Sequence, residues 1–516
     1  MTTSSPTVLI IGGGATGTGL ARDLALRGVP SIVVDQGAIN AGASGANHGL
    51  LHSGARYVAT DPDSAAHCFR EGQLLRNLAP HCIEDTKGLF VAIQGDDDRY
   101  IADFPSMCEK CGIPVRNVDL AEARAIEPAL TPNIICVYEV PDATIDPFTL
   151  SIENMNHACA LGAALHTHTR VVEFAINNRR IVAAIVVDTR TGQKRSIAVD
   201  EVVNASGAWS GKVAALAGIP IDTVYSKGTL LVTQHRFASR VINRLRRPAN
   251  ADIIVPGGIV SVLGTTSTRV DSPDGVVPTI HEVDTIIEET SSMIPALTSA
   301  RILRAFSGVR PLISQGTTGD DRAVSRDLSL FDHSIHGIDN FVTITGGKLT
   351  TYRQMAEKAA DIVCNHLGVT ANCQTATLPL PQSSIWTLPG VPPHEWRKAS
   401  NPSDLFLCEC ELVPRTAVDQ IAQRISKQGR IPQLQDIISE SRVAKGACQG
   451  SFCSMRVLAY LRERGYGANS NPISQLKDML CERWKGQRVT ANGAQLRQFE
   501  LEEAMLCGFL GLELEP

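Results

Sequence analysis

The feature that most constrains the fold is a glycine-rich turn between an apolar strand and a helix, close to the start of the chain. The apolar run Val8–Ile11 leads into GGGATG (residues 12–17), and a periodic helix is predicted over residues 15–27. In such a turn the first glycine allows a tight bend, the second lets the backbone approach a pyrophosphate, and the third lets the helix pack against the sheet. The N-terminus of the helix adds a positive partial charge that favours phosphate. The turn therefore predicts a dinucleotide site in an α/β domain.

An acidic residue completes this pattern. Asp35 closes the next apolar run, Ser31–Val34, and lies 18 residues beyond the last glycine of the turn. In dinucleotide-binding units an acid at this place holds a ribose hydroxyl. A glycine-rich turn without a ligand remains the alternative interpretation. The nucleotide contacts predicted from this unit are Gly12, Gly14, Ala15, Thr16, Gly17 and Asp35.

Composition limits the classes of protein and partner. A chain of 516 residues with 43% hydrophobic residues is long enough for more than one domain with a sizeable core. The net charge of -5 lacks the basic excess that nucleic-acid binding favours. No apolar run is long enough to span a bilayer, and residues 1–6 lack the features of a signal peptide. We therefore expect a cytoplasmic protein with no nucleic-acid partner.

The pattern along the chain predicts three parts. Strand and helix signals alternate over residues 1–377, and further apolar runs indicate a nucleotide-binding domain interleaved with a second, sheet-rich domain. Six prolines within residues 378–404 predict a linker, and residues 405–516 form a small C-terminal domain rich in cysteine. The further strands are predicted at residues 180–187, 201–204, 229–233 and 341–344.

Three more segments are rich in glycine and other small residues, which would let a ligand come close to the backbone. Residues 42–57 are dense in glycine and small polar side chains, residues 202–209 form an apolar strand that ends in Ala-Ser-Gly-Ala, and residues 345–353 form a glycine turn that opens a helix. Each one alone is compatible with an ordinary tight turn.

Together and in this order, the segments resemble the flavin-dependent glycerol-3-phosphate dehydrogenases of the D-amino-acid-oxidase-like superfamily, in particular the A subunits of the anaerobic bacterial enzymes. The resemblance covers nearly all of the N-terminal part. The matching stretches are IIGGGATGTGLARDLALRG (10–28), NHGLLHSGARY (47–57), PDATIDPF (141–148), VVNASGAW (202–209), ADIIVPG (251–257), LGTTSTR (263–269), RILRAFSGVRPL (301–312) and TITGGKLTTYR (343–353).

The resemblance implies FAD as a cofactor. One departure is that Asp35 stands where such flavoproteins commonly carry the longer glutamate, which weakens the expectation of a direct contact with the ribose. Beyond the glycine turn, the FAD contacts that the resemblance implies are Ser44, Asn47, His48, Gly49, Leu50, Ala205, Gly207, Gly347, Leu349 and Thr350.

The implied reaction needs a grip on a phosphate, a group that takes the hydroxyl proton, and a hydride acceptor. Arginine forks and lysine point charges hold phosphate best. His52 is the candidate base, with Arg310 as its electrostatic partner, and His48 lies nearby; a structural histidine is the alternative in each case. The implied substrate contacts are Arg56, Tyr57, Thr265, Arg310, Arg326 and Lys348.

The chain has 14 cysteines, which a cytoplasmic protein should keep reduced. Cys108 and Cys111 form a C-x-x-C, but no second pair lies near them in sequence and they fall in a predicted helix, so we expect no redox role. The C-terminal part contains two close pairs, Cys408 with Cys410 and Cys448 with Cys453, and 37 residues lie between Cys410 and Cys448. Four thiolates in one small domain predict a metal or cluster site, with a helix over residues 454–464 against it; structural zinc remains the alternative to iron and sulfide.

The cysteine spacing, together with ERWKG (482–486), resembles the [2Fe-2S] domain of the bacterioferritin-associated-ferredoxin type. The full resemblance implies oxidation of sn-glycerol 3-phosphate to dihydroxyacetone phosphate. Electrons would pass through the cluster and through partner subunits to a quinone, which the resemblance implies is menaquinone. The partners would be a companion flavoprotein subunit and a membrane-anchoring iron-sulfur subunit, so the chain would attach peripherally to the inner membrane. Two alternatives remain. One is a related amino-acid or 2-hydroxy-acid dehydrogenase, and the other is a non-catalytic electron carrier or redox sensor.

Overall fold

The predicted dinucleotide unit lies in the middle of a parallel sheet. The computed structural model describes residues 7–313, 328–382, 403–466 and 471–511. In this part of the chain the strands are, in order, β1 (Val8–Ile11), β2 (Ser31–Val34), β3 (Leu50–Leu51), β4 (Ile83–Glu84), β5 (Gly88–Ile93), β6 (Arg116–Asn117), β7 (Ile134–Val140), β8 (Ala143–Ile145), β9 (Ala164–His166), β10 (Thr169–Asn177), β11 (Arg180–Asp188), β12 (Lys194–Ala198), β13 (Glu201–Asn204), β14 (Thr223–Thr233), β15 (Val241–Arg244), β16 (Ile253–Gly257), β17 (Val260–Gly264), β18 (Thr268–Val270), β19 (Ile302–Ile313), β20 (Leu328–Asp332), β21 (Phe341–Gly346), β22 (Phe406–Cys408) and β23 (Val413–Pro414).

The α-helices of the same described ranges alternate with these strands in the N-terminal part and dominate the C-terminal part. They are α1 (Ala15–Leu26), α2 (Pro62–Leu78), α3 (Asp98–Lys110), α4 (Leu120–Ile126), α5 (Pro147–Ala160), α6 (Ser210–Ala215), α7 (Ile280–Ser291), α8 (Tyr352–Leu367), α9 (Arg415–Lys427), α10 (Leu434–Glu440), α11 (Cys453–Glu463), α12 (Pro472–Gln487) and α13 (Gly493–Leu510).

The nucleotide sheet has the order β20-β21-β13-β1-β2-β9 and is parallel except for β20 at its edge. Helices α1, α5 and α8 cover one face, where Leu20 and Leu24 pack with Met155 and Ala359. The antiparallel sheet β10-β11-β12 covers the other face. Because β1 is central and buried on both sides, the loop that follows it is held from both directions. This arrangement confirms the predicted Rossmann-like α/β class.

The second sheet has nine strands in the order β18-β14-β17-β16-β15-β5-β7-β6, with β19 paired to β14. Its strands come from segments that lie between the strands of the nucleotide sheet, so the two sheets interleave along the chain as predicted. The longest pair is antiparallel and places Gly228 of β14 opposite Gly308 of β19, and Ser226 opposite Arg310. The sheet therefore carries Arg310 toward the end of its longest strand.

The C-terminal part builds a core of its own from α9 to α12, with Val418, Ile421, Ile437 and Trp484 among its buried residues. It packs closely on the second sheet. A Cβ atom at Gly486 would overlap the carbonyl oxygen of Ala305 in β19, so glycine is required for this approach. The strand that carries Arg310 thus also contacts the C-terminal part.

Several local predictions are confirmed with small changes at the ends. Helix α1 ends at Leu26 instead of Arg27, the predicted strand 229–233 begins earlier, at Thr223, and the predicted helix 454–464 runs over Cys453–Glu463. Most of the predicted linker, residues 383–402, lies outside the described residues. The proposed limits of the three parts therefore stay predictions. Within the described ranges, no helix has the length and apolar character needed to cross a membrane.

Candidate functional site

The glycine turn is shaped by contacts that exclude larger side chains. Gly12 has a φ of +118°, and a Cβ atom there would overlap the backbone of Ala205. A Cβ atom at Gly17 would overlap the carbonyl oxygen of Gly12. At Gly14 the nearest protein atom to such a Cβ is the Ser44 hydroxyl at 3.0 Å, so the space beside Gly14 is left open toward the site. These are the steric demands of a turn that brings its backbone against a ligand.

Asp35 is held by backbone amides. Its two carboxylate oxygens accept hydrogen bonds from Gly13 N and Gly37 N, both at 2.7 Å. Burial raises the pKa of Asp35, and these two hydrogen bonds oppose that shift. The Asp35 carboxylate therefore stabilises the turn. Its predicted contact with a ribose hydroxyl stays a prediction, and that contact would use the lone pairs of the carboxylate that the two amides leave open.

The loop between β2 and β3 is fixed by its own side chains. Ser44 Oγ accepts a hydrogen bond from Ala15 N at 3.0 Å, at the N-terminus of α1. Asn47 donates to the carbonyls of Ala43 and Ser44 and accepts from Gly49 N at 2.7 Å. The loop is thus preorganised across the helix N-terminus, where anions bind most readily.

A second glycine turn closes the site from the other side. Gly347 has a φ of +69°, and a Cβ there would overlap the Met355 side chain. Thr350 Oγ1 accepts a hydrogen bond from His52 N at 3.2 Å, which joins this turn to the loop before Arg56.

One cavity of about 950 Å³ runs from the glycine turn to the predicted substrate cations. Its volume suits a large, mostly enclosed ligand. Gly17, Gly49 and Thr350 do not line it and act by holding its walls. The predicted residues that line it are Gly12, Gly14, Ala15, Thr16, Asp35, Ser44, Asn47, His48, Leu50, His52, Arg56, Tyr57, Ala205, Gly207, Thr265, Arg310, Gly347, Lys348 and Leu349.

Arg310 is presented to this cavity by β19. Its Nη2 donates to Thr265 Oγ1 at 3.0 Å, and its Nη1 donates to Thr266 O at 3.4 Å. A Cβ atom at Gly228, on the neighbouring strand, would overlap both the guanidinium and the Thr265 hydroxyl. Glycine at 228 therefore makes the room in which Arg310 lies.

Arg56 is anchored by a buried acid. Its Nη2 donates to Asp252 Oδ2 at 2.9 Å and to Ala249 O at 3.2 Å, while its buried Nη1 has no hydrogen-bond partner among the described residues. An Arg nitrogen that is buried without an acceptor is costly, and a bound anion would satisfy it.

The third cation, Lys348, donates to Ser64 Oγ. Its Nζ lies 4.5 Å from the centre of the Tyr57 ring, and the His52 ring lies 5.4 Å from that ring. Tyr57 is thus a packing surface for a lysine and a histidine of the site. Arg326, which was predicted to bind substrate, lies outside the described residues.

The four C-terminal cysteines come together as predicted. Their sulfur atoms form a closed group, with 3.8 Å from Cys408 to Cys410, 3.5 Å from Cys410 to Cys448 and 4.0 Å from Cys448 to Cys453, and Cys453 in turn hydrogen-bonds Cys408. In the described residues, no group of three or more His, Cys, Asp or Glu is arranged to hold one metal ion. Four thiols grouped in this way are the ligand number of a binuclear cluster, in which each iron takes two cysteines, and also of a structural zinc, so both alternatives stay open here.

The pKa values of these cysteine thiols affect how the group would bind a metal. The hydrogen bond with Cys410 lowers the pKa of the Cys408 thiol, whereas the hydrogen bond with Cys453 and burial raise it. The net effect is a rise of the Cys408 pKa to about 12. At neutral pH such crowded thiols do not all ionise unaided, so metal binding here would release protons.

Half-buried cations lie near this group of cysteines, and Arg442 and Arg483 are close enough to interact with its thiols. A cleft of about 1230 Å³ between the C-terminal part and the rest of the chain is lined by Arg304, Arg442, Lys445 and Arg483. Of these, Arg442 pairs with Glu411 at 2.8 Å, and Lys445 lies 4.3 Å above the Phe148 ring. Burial lowers the pKa of Arg483, while Glu482 and the cysteines Cys453 and Cys448 oppose that shift. The cations would compensate a net negative charge on a cluster.

The other cysteine pair has a structural environment. Cys108 lies within α3 and Cys111 caps that helix; both are buried and free. Burial raises the pKa of both thiols, which makes them less reactive. The expectation of no redox role stays a prediction with this support.

Comparisons with known proteins decide the family. The sequence pattern of the FAD dependent oxidoreductase family (DAO) matches residues 7–353. The A subunit of the anaerobic glycerol-3-phosphate dehydrogenase of Escherichia coli (strain K12) is 40% identical, over 99% of this chain and 98% of its own. That of Haemophilus influenzae is 38% identical, over 98% of this chain and 94% of its own. This chain belongs to the family of anaerobic glycerol-3-phosphate dehydrogenase A subunits, which are FAD-dependent oxidoreductases.

A solved structure agrees on the fold of this family member. The X-ray structure of the glycerol-3-phosphate dehydrogenase from Bacillus halodurans, complexed with FAD, superposes with a TM-score of 0.59 at 20% identity. It covers 100% of this chain and 97% of its own. The predictions of the family and of an FAD-dependent oxidoreductase fold are confirmed.

Some site residues of this dehydrogenase family member were not predicted. Gly228 makes room for Arg310, Asp252 anchors Arg56, and Ser64 accepts from Lys348. Gly228 had a signal, since a lone glycine inside an apolar strand marks close approach. Asp252 and Ser64 had none, because their partners lie far away in sequence.

Proposed function

We propose that this chain oxidises sn-glycerol 3-phosphate to dihydroxyacetone phosphate with FAD as its hydride acceptor. The observation that carries the proposal is the cavity that joins the phosphate-cradling glycine turn to Arg56, Arg310 and Lys348. A nucleotide cofactor fits one end by the steric shape of the turn, and a small phosphorylated substrate fits the cationic end. The relatives' names supply the identity of the substrate.

The roles of the residues follow from their contacts. Arg310 and Lys348 would bind the phosphate, and the unpaired Nη1 of Arg56 would add a third donor. Tyr57 and Thr265 would position the substrate beside these cations. A histidine of the cavity would take the hydroxyl proton, and His52 is the candidate from the sequence. FAD, when bound, supplies the acceptor for the hydride.

We further propose that the group of Cys408, Cys410, Cys448 and Cys453 binds a [2Fe-2S] cluster that receives electrons one at a time. The support is the short spacing of the sulfurs and the half-buried guanidiniums of Arg442 and Arg483 near them. The electrons would then pass to a quinone through partner subunits, a companion flavoprotein subunit and a membrane-anchoring iron-sulfur subunit. The relatives are named as one subunit of an enzyme, which agrees with the presence of further subunits, and the chain would attach to the inner membrane through them.

Anaerobic titration of the purified protein tests the reaction. We expect glycerol 3-phosphate to bleach the flavin absorbance, and glycerol, which lacks the phosphate, to bleach it very poorly. Equal bleaching by the two compounds would contradict the phosphate grip. Bleaching by an amino acid or a 2-hydroxy acid instead would indicate a related dehydrogenase, and no bleaching by any substrate would indicate an electron carrier or redox sensor.

Replacing Arg310 by alanine is expected to lower kcat/KM for glycerol 3-phosphate by about 10-fold or more. A hydrogen bond to a charged partner contributes about 1.5 to 3 kcal/mol, and about 1.4 kcal/mol is a factor of ten. Arg301→Ala removes an exposed arginine just before the same strand and serves as the matched control. Steady-state kinetics with an artificial dye measures both variants, and equal losses in the two would exclude a specific role for Arg310.

A further inference from the structure

His48 has a buried nitrogen without a partner. One ring nitrogen hydrogen-bonds the carbonyl of Gly264, which precedes Thr265 in the site. The other, Nε2, is buried and has no hydrogen-bond partner among the described residues. Nδ1 therefore carries the hydrogen, and Nε2 presents a lone pair. Since buried polar atoms are nearly always hydrogen-bonded, this lone pair indicates an acceptor whose donor arrives with a ligand.

The backbone that carries the ring is held in place. The Asn47 side chain holds the backbone on both sides of it, through the carbonyls of Ala43 and Ser44 and the amide of Gly49. Gly49 has a φ of +69°, and a Cβ atom there would lie 2.7 Å from the Ile145 carbonyl oxygen. The position of His48 is thus set by a rigid loop, as a group that must meet a reacting atom requires.

The surroundings keep the ring neutral. Burial lowers the pKa of His48, the Gly264 carbonyl opposes this, and the guanidiniums of Arg310 and Arg56 lower it as well, with a net pKa of about 4. These two arginines are the charged groups that face the ring. A phosphate bound to them would offset their charge, so the pKa of His48 would rise when substrate binds.

We propose that His48, in place of His52, accepts the proton of the substrate's C2 hydroxyl. This inference rests on the proposed function. The O–H bond breaks and its proton passes to Nε2, the C2–H bond breaks with its electron pair leaving as hydride to the flavin, and the C2–O bond becomes a carbonyl. Product release restores the two arginine charges against the ring, which favours loss of the proton to solvent.

The pH dependence follows from this coupling. The base must be neutral, so the rate falls as the pH drops through its pKa. The acid limb of kcat/KM reports the free enzyme and is expected near pH 4, whereas the acid limb of the rate constant for flavin reduction reports the bound complex and is expected at higher pH.

The test compares His48→Gln and His48→Asn with His52→Asn by anaerobic rapid mixing with glycerol 3-phosphate. We expect both His48 variants to reduce flavin about 100-fold or more slowly and to lose the acid limb, since general bases contribute about 10²- to 10⁴-fold. Their FAD content and their affinity for inorganic phosphate, followed by the flavin spectrum, should stay within about twofold of the unmodified protein.

Other outcomes overturn the assignment. If both His48 variants keep the rate and the acid limb, or if only His52→Asn loses them, His48 is not the acceptor. If both His48 variants purify without FAD, the side chain holds the cofactor and the proposal is wrong. If glycerol 3-phosphate does not bleach the unmodified protein, the proposed function fails, whatever the variants do.

Discussion

Replacing Gly14 by valine is expected to give a folded protein that purifies without flavin. Gly14 has φ -80° and ψ -176°, an extended conformation that any residue adopts. A Cβ atom there meets only the Ser44 side chain, with its Oγ at 3.0 Å and its Cβ at 3.7 Å, so a small shift of Ser44 makes room for it. The valine would instead occupy the cavity where the pyrophosphate must approach the backbone. The variant therefore separates cofactor binding from folding.

Absorbance of the released flavin measures the bound cofactor, and circular dichroism measures folding. Gly257→Val is the matched control, because a Cβ in that strand has no neighbour closer than 3.7 Å and the residue does not line the flavin cavity. Gly17→Val should differ from both and unfold the domain, since its side chain would overlap the Gly12 carbonyl. A folded Gly14→Val protein with one flavin per chain would refute the proposed position of the cofactor.

Replacing Cys448 by serine is expected to remove the cluster and to stop electron transfer to the quinone chain while sparing oxidation of the substrate. The Cys448 sulfur lies 3.5 Å from that of Cys410 and 4.0 Å from that of Cys453, so its loss removes one of the four proposed cluster ligands. The proposed substrate site lies in a different cavity, which is lined by Arg310 and Lys348. An artificial dye that takes electrons from the flavin should therefore still be reduced at close to the normal rate.

Iron and acid-labile sulfide analysis after anaerobic purification, with electron paramagnetic resonance of the reduced protein, measures the loss. Cys481→Ser is the matched control, because Cys481 is a half-buried thiol of the same part of the chain that is not one of the four proposed ligands. Zinc without sulfide in the unmodified protein would end the relay hypothesis. In that case Cys448→Ser should chiefly destabilise the C-terminal part, as loss of a structural metal does.

Much of the fold could be predicted because its signals are local. The strand Ser31–Val34 has the predicted ends, and the strand Glu201–Asn204 does too. Both are short apolar runs bounded by turn residues, and buried parallel strands require that pattern. The turn at residues 12–17 was predictable for the same reason, since its glycines answer steric demands that arise within one βαβ unit.

Many residues that line the cavity could be predicted from motifs, but the contacts that they make could not. The motifs placed Arg56, Arg310 and Lys348 in one group, and the cavity brings these three together. The role of Asp35 shows the limit. Its carboxylate accepts from Gly13 and Gly37, and sequence spacing does not reveal that the backbone already uses both oxygens.

The sequence by itself determined the class of fold, the family and the kinds of side chain at the site, because periodicity, turn glycines and motif spacing act over short stretches of chain. Only the tertiary structure decided which partners each charged group meets. Arg56 binds Asp252, Gly486 lets the cysteine-bearing part reach β19, and His48 keeps one unpaired nitrogen among the described residues. These features depend on contacts between distant segments, and such contacts are set by how the sheets pack and not by local preference.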